Sequence, residues 1–168
     1  SLNIGVGLGL LVQTAAESAE AGLTVRDIEA EVRSLIPHLY SIYCVSDPAS
    51  LARLGLISPE QAAATEILGI MPILSVEEGR LVPFQKVRTT RHLLESFQEF
   101  VGEYDTPRHI AFSKGRDSRL RLRPLRQFVT ETFPNTPFTE HILPPSLAAL
   151  IGETAVGLVV LDTPPKGV

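Results

Sequence analysis

Lys86 and Arg88 stand in the run PFQKVRT with a single valine between them, at the end of a stretch that otherwise reads as an apolar hairpin, IMPILSVEEGRLVPFQKVRT. Side chains alternate along a strand, so the two cations share one face. Two cations so spaced can hold a carboxylate or a phosphate by charge-assisted hydrogen bonds, or meet an acidic partner. The same pattern also fits the solvent side of an edge strand, and both readings stay open on spacing alone. A second candidate is the run G-V-G-L-G, with Gly5, Gly7 and Gly9 opening a helix. Its spacing differs from the dinucleotide fingerprint, and no Lys-Ser/Thr follows to make a phosphate loop. It can serve tight packing of a helix start, or offer backbone N–H groups to an anion such as a ligand carboxylate.

Other chemistry is poorly supported. None of His38, His92, His109 and His141 lies near another histidine, a cysteine or a carboxylate at ligand spacing, which argues against zinc. His109 opens a strand and reads as structural. No G-x-S-x-G elbow supports a serine nucleophile. The lone Cys44 sits in YSIYCV and reads as a buried, inert thiol, consistent with a reducing, cytoplasmic setting. KGRDSRLRLRPLR, residues 114–126, is locally basic, with Arg119, Arg123 and Arg126 at helical spacing. It reads as a solvated helix face or a docking patch, although Pro124 argues against a continuous helix. A net charge of -4 argues against a nucleic-acid binder. No apolar run reaches the ~18 residues of a membrane span.

The elements that must position these residues can be read in order. Residues 7–21 form a helix ending at Gly22. Thr24, with Asp27 three residues on, caps a second helix that carries Val25, Ile28, Val32, Leu35 and Ile36 on one face and stops at Pro37. Residues 40–45 read as a strand. A short helix starts near Pro48 and stops at Gly55, and another follows, capped by Ser58 with Pro59 at its first position. PILSV and RLVPFQKV flank a turn at Glu77-Glu78-Gly79, where Gly79 takes the positive φ. Thr89 or Thr90 opens a helix with Leu93, Leu94, Phe97, Phe100 and Val101 on one face. HIAFS is a strand, residues 117–133 a helix, FTEHIL a strand or extended segment, SLAALI a short helix, and AVGLVVL a buried strand. The expected fold is α/β, with an antiparallel-rich sheet of about six strands. The expected boundary falls at residue 38. Residues 1–38 are two helices left over from a parallel α/β domain, and 39–168 form a second domain.

Three stretches then take on a joint meaning. Ser1 with GLGLLVQTAAESAEAGLTVRDIEAEV, then LARLGLISPEQAAATEILGIMPIL, then EEGRLVPFQKVRT resemble, in order and separation, the DegV family of bacterial fatty-acid-binding proteins. The resemblance implies a two-domain carrier that is not itself an enzyme. A long-chain fatty acid lies between the domains, its carboxylate held by hydroxyls and presented to a partner kinase, with no cofactor or metal. It nominates Ser1, Gly7, Gly9, Lys86 and Arg88 for the ligand. It also exposes departures. The family's first segment, with a threonine or serine that contacts the carboxylate, has no counterpart before Ser1. Gly5 replaces a usual serine. Leu150-Ile151-Gly152-Glu153-Thr154 stands where the family shows His-Thr-Gly-Pro-Gly. Altered acyl transfer, a different ligand and a purely structural kinship all remain open on that ground. Two alternatives from other classes are a small-molecule phosphotransferase subunit related to dihydroxyacetone kinase, and an interaction module without ligand.

Overall fold

The structure is a computed structural model that describes residues 2–163. Six strands form one sheet: β1 (Leu39–Cys44), β2 (Met71–Glu77), β3 (Arg80–Val87), β4 (Pro107–Lys114), β5 (Phe138–Ile142) and β6 (Val156–Asp162), in the order β3-β2-β1-β6-β4-β5. Every neighbouring pair is antiparallel except β4 with β5. The mixed, antiparallel-rich α/β sheet read from the sequence is therefore the fold.

Alternation along the strands sorts the core into two faces. Ile42, Cys44, Ile73, Ile110, Phe112, Leu158 and Val160 point to one side. There they meet α5 (Thr90–Gly102) and α6 (Arg123–Thr132) through Leu93, Phe97, Leu125 and Val129. Tyr43, Leu74, Ala111, Val159 and Leu161 point to the other. That face carries α3 (Pro48–Arg53), α4 (Pro59–Ile67) and α7 (Pro145–Ile151), and beside them α1 (Val6–Glu20) and α2 (Val25–Leu35). Cys44 is fully buried, and burial pushes its thiol up to about 12, so no thiolate forms near neutrality.

Local chemistry explains most element boundaries. The Thr24 hydroxyl accepts from the Asp27 amide at 3.3 Å and starts α2. Ser58 and Gln61 form a reciprocal capping box at α4, with Pro59 just inside. The β2–β3 turn puts both Glu78 (φ 49°) and Gly79 (φ 77°) in the left-handed region, as a tight two-residue hairpin requires. The expected helix over 117–133 is shorter. The Gly115 amide donates to the Ala155 carbonyl at 2.8 Å and the Asp117 amide to the Glu153 carbonyl at 3.1 Å. These bonds tie the start of the segment to the 153–155 turn, and Pro124, lacking an N–H, fits only in the first turn of α6, so the helix starts at Arg123. Arg119 thus lies outside the helix that carries Arg123 and Arg126. Arg126 forms an ion pair with Glu140 on β5.

Candidate functional site

β3 is an edge strand, so Pro83 leaves no ladder bond unmade in a central position. The β2–β3 register shifts at Ile73/Leu74, so that Leu74 opposes Pro83 while Ile73 opposes Gln85. Phe84 is the extra residue of that bulge. Lys86 opposes Pro72 and shares a face with it, with Leu74 and with Leu81. Above this face α3 and α4 stand off the strands. The space between is a slot of about 410 Å³. Its floor is Pro72, Leu74, Leu81 and Pro83, its roof includes Leu51, Leu56, Ala64 and Leu68, and among the described residues Lys86 is the one charged side chain in its lining. Gln61 and Thr65 add two polar groups from α4. Among the described residues Lys86 and Arg88 have no ion-pair partner. Arg88 follows directly on β3 and is exposed, outside the slot lining.

The glycine-rich helix start lies elsewhere. Gly5 is the N-cap of α1, at φ 63°, and, having no side chain, makes no capping hydrogen bond. Gly7 packs closely: a Cβ there would stand 2.4 Å from Asn3 Oδ1 and 3.2 Å from Leu39 Cδ2. Gly9 has open space around it and lines a separate cavity of about 240 Å³ with Gln13, His109 and His141. Gly9 and Lys86 therefore face different cavities, and Ser1 lies outside the described residues.

The second cavity contains a pair that linear spacing does not reveal. β5 runs parallel to β4, and the pairing puts His109 and His141 on either side of Thr139, each with Nε2 at 2.9 Å from its Oγ1. The histidines are 32 positions apart (141 − 109), so only the strand pairing shows their proximity. Burial, and secondarily the His141 charge, lowers the pKa of His109, while Glu17 on α1 opposes the shift. A base whose folded pKa is depressed takes up its proton first in the unfolded chain. Stability should therefore be fully present above the unfolded value of about 6.5 and decline as pH falls through and below it. Urea midpoints measured between pH 7 and pH 5 should drop in the parent and drop less in His109→Gln; identical slopes would exclude the linkage. Among the described residues no group of three His, Cys, Asp or Glu is placed to hold a metal ion, and no helix is long and apolar enough to cross a membrane.

A six-stranded mixed sheet with helices on both faces and an apolar groove under two of them defines an α/β protein. The chain belongs to the DegV family: the family profile, described as "Uncharacterised protein, DegV family", matches residues 1–163. A DegV domain-containing protein of Clostridium perfringens is 32% identical over 99 residues, which is 59% of this chain and 36% of that protein. Among solved structures, a fatty-acid-binding DegV family protein from Streptococcus agalactiae superposes with TM-score 0.76 at 25% identity, over 92% of this chain and 56% of that one. The Streptococcus pneumoniae Fatty Acid Kinase (Fak) B3 protein, loaded with linoleic acid, superposes with TM-score 0.81 at 14% identity, over 94% of this chain and 56% of that one. The chain thus spans little more than half the length of the solved proteins it matches.

Proposed function

We propose that the chain binds a long-chain fatty acid, with the acyl tail in the slot beneath α3 and α4 and the carboxylate at its Lys86 end. The observation that carries this reading is an apolar slot with a single cation. Its volume of about 410 Å³ falls within the roughly 300–1,000 Å³ of small-molecule pockets. From Leu81 to Lys86 the floor follows β3 for five residues (86 − 81), roughly 15 Å at the usual strand rise. That length accommodates about a dozen extended methylenes at roughly 1.3 Å each, from ordinary C–C bond lengths. At about 0.8 kcal/mol per methylene, their burial contributes on the order of 10 kcal/mol before ordering costs. The carboxylate cannot follow the tail unpaired, because an isolated buried charge is prohibitively costly. Lys86 holds it at the rim, and Arg88, two residues beyond, lies on the outer side of that rim. Family resemblance alone nominates Ser1, Gly7 and Gly9 for the ligand; Gly9 lines a cavity other than the one Lys86 lines, and its amide donates to the Gly5 carbonyl.

In this reading the protein is a cytoplasmic carrier and not a catalyst, and a partner kinase acts on the carboxylate it presents. The names of the Streptococcus relatives support the ligand class and the kinase connection. A first α/β domain ahead of β1, with α1 and α2 as its last helices, completes the proposed assembly.

Native mass spectrometry of protein purified from cells, followed by lipid extraction, tests the reading. A stoichiometric saturated or unsaturated long-chain acid is expected. Lys86→Ala should retain the fold and weaken acid binding about tenfold, the loss of one charge-assisted hydrogen bond. Protein that stays empty when acid is offered in excess would refute the proposal.

A further inference from the structure

We propose that the arginine-bearing end of the sheet is a docking surface for an acidic protein partner, set so that the partner reaches the Lys86 end of the slot. The location relative to a ligand rests on the slot reading above; the surface itself rests on different residues. The stretch from the last residue of β4 to the first of α6 carries Lys114, Arg116, Arg119, Arg121 and Arg123, with Asp117 as its one acid. Among the described residues, ion pairs engage Arg33, Arg53, Arg91 and Arg126, so these five cations are all unpaired.

The segment is held in place rather than loosely tethered. Its amides bond to the 153–155 turn, and a Cβ on Gly115 would stand 1.9 Å from the Glu153 carbonyl oxygen, so the two backbones are in direct contact. Leu122 is buried and Leu120 packs against the core, which leaves the intervening arginines outward and exposed. Arg119 lines a cleft of about 540 Å³ with Asp117 and with the hydroxyls of Ser46, Thr90 and Thr154, and none of those three hydroxyls has a side-chain hydrogen bond among the described residues. Forked guanidinium groups beside free hydroxyls match carboxylates, which accept two parallel bonds from arginine.

Cleft and slot open at the same end of the sheet. Met71 lines the cleft, and Pro72, the next residue and so on the opposite face, lines the slot. Pro72 pairs with Lys86, and Thr90 of the cleft follows four residues later, with the exposed Arg88 between. A partner seated on the arginines therefore lies beside the rim where a carboxylate would be held. A protein fits this surface better than a nucleic acid or a bilayer. Among the described residues the cleft lining has no aromatic ring for stacking bases, and the leucines that could enter a membrane turn inward.

The test is fluorescence anisotropy of a labelled oligo-glutamate peptide titrated with the full chain. The parent should bind in low salt and weaken as salt is raised. The triple variant Arg116→Glu, Arg119→Glu, Arg123→Glu should lose roughly tenfold or more in affinity. A charge-matched control at exposed positions far from this end, Arg26→Glu, Arg80→Glu, Arg108→Glu, should bind like the parent. Equal loss in the two triples would overturn the proposal, as would no loss in the first. Tighter binding of single-stranded DNA or phosphatidylglycerol vesicles through the same arginines would overturn it too. Fatty-acid retention by the same variants reads the slot alone, so failure there leaves the peptide result standing, and the reverse.

Discussion

Gly157→Ala should destabilise the fold by about 3 kcal/mol, the upper part of the range for overpacking a close-packed core. Gly157 lies in β6 at the centre of the sheet, directly between Tyr43 on β1 and Ser113 on β4. The tyrosine ring lies across it: a Cβ would stand 2.3 Å from Cδ1, 2.4 Å from Cε1 and 3.2 Å from Ser113 Oγ. The ring has no room to retreat, since Tyr43 is only 1% exposed and packs among Leu143, Leu147 and Ile151. Its hydroxyl has no hydrogen-bond partner among the described residues, so nothing polar would compensate for a shift. Urea unfolding should show the midpoint falling with the slope unchanged. In the double variant Tyr43→Leu, Gly157→Ala, the smaller side chain removes the clash, and the two changes should be less than additive by more than 1 kcal/mol. Stability within about 0.5 kcal/mol of the parent for Gly157→Ala alone, the ordinary scatter of surface changes, would show that the ring does not constrain this strand.

Ala64→Trp carries the second large effect, on ligand retention and not on stability. Ala64 sits on α4 in the slot's roof, with its side chain open to the space below. An indole there fills the volume that the acyl chain needs, and it grows from an exposed helix position instead of replacing a core residue. Affinity for a long-chain acid should fall about 100-fold, or roughly 2.7 kcal/mol, as a few methylenes lose their apolar cover. Ala63→Trp is the control: Ala63 is exposed on the same helix and lines no part of the slot. Displacement of a fluorescent fatty acid measures both. If both variants hold acid as the parent does, the tail does not lie under α4.

Much of the fold was legible because its determinants are local. Thr24 and Ser58 announce their helices with side chains that reach amides three residues away. The Glu78-Gly79 turn brings β2 and β3 together without help from any distant residue. The amphipathic run from Leu93 to Val101 finds its apolar face buried as its periodicity requires. The family was legible as well, through blocks whose order and spacing survive along the chain.

What failed to show in the sequence depends on pairings between distant segments. Residues 117–122 have helical spacing, yet the Asp117 amide is bonded to the Glu153 carbonyl, a partner some thirty positions away and invisible in a local window, and the helix begins only at Arg123. His109 and His141 look isolated until β5 pairs in parallel with β4. Lys86 and Arg88 form one cationic pair in the linear pattern, but β3 ends at Val87, and only Lys86 lines the slot.

By itself, then, the sequence determined the helices, the hairpin and the two-faced strands, because capping, turn geometry and side-chain alternation act over a few residues. The tertiary structure alone decided the strand order, the slot beneath α3 and α4, and which cations face it. Those features are set by packing between segments far apart in the chain, where the free energy depends on shape complementarity that no short stretch encodes.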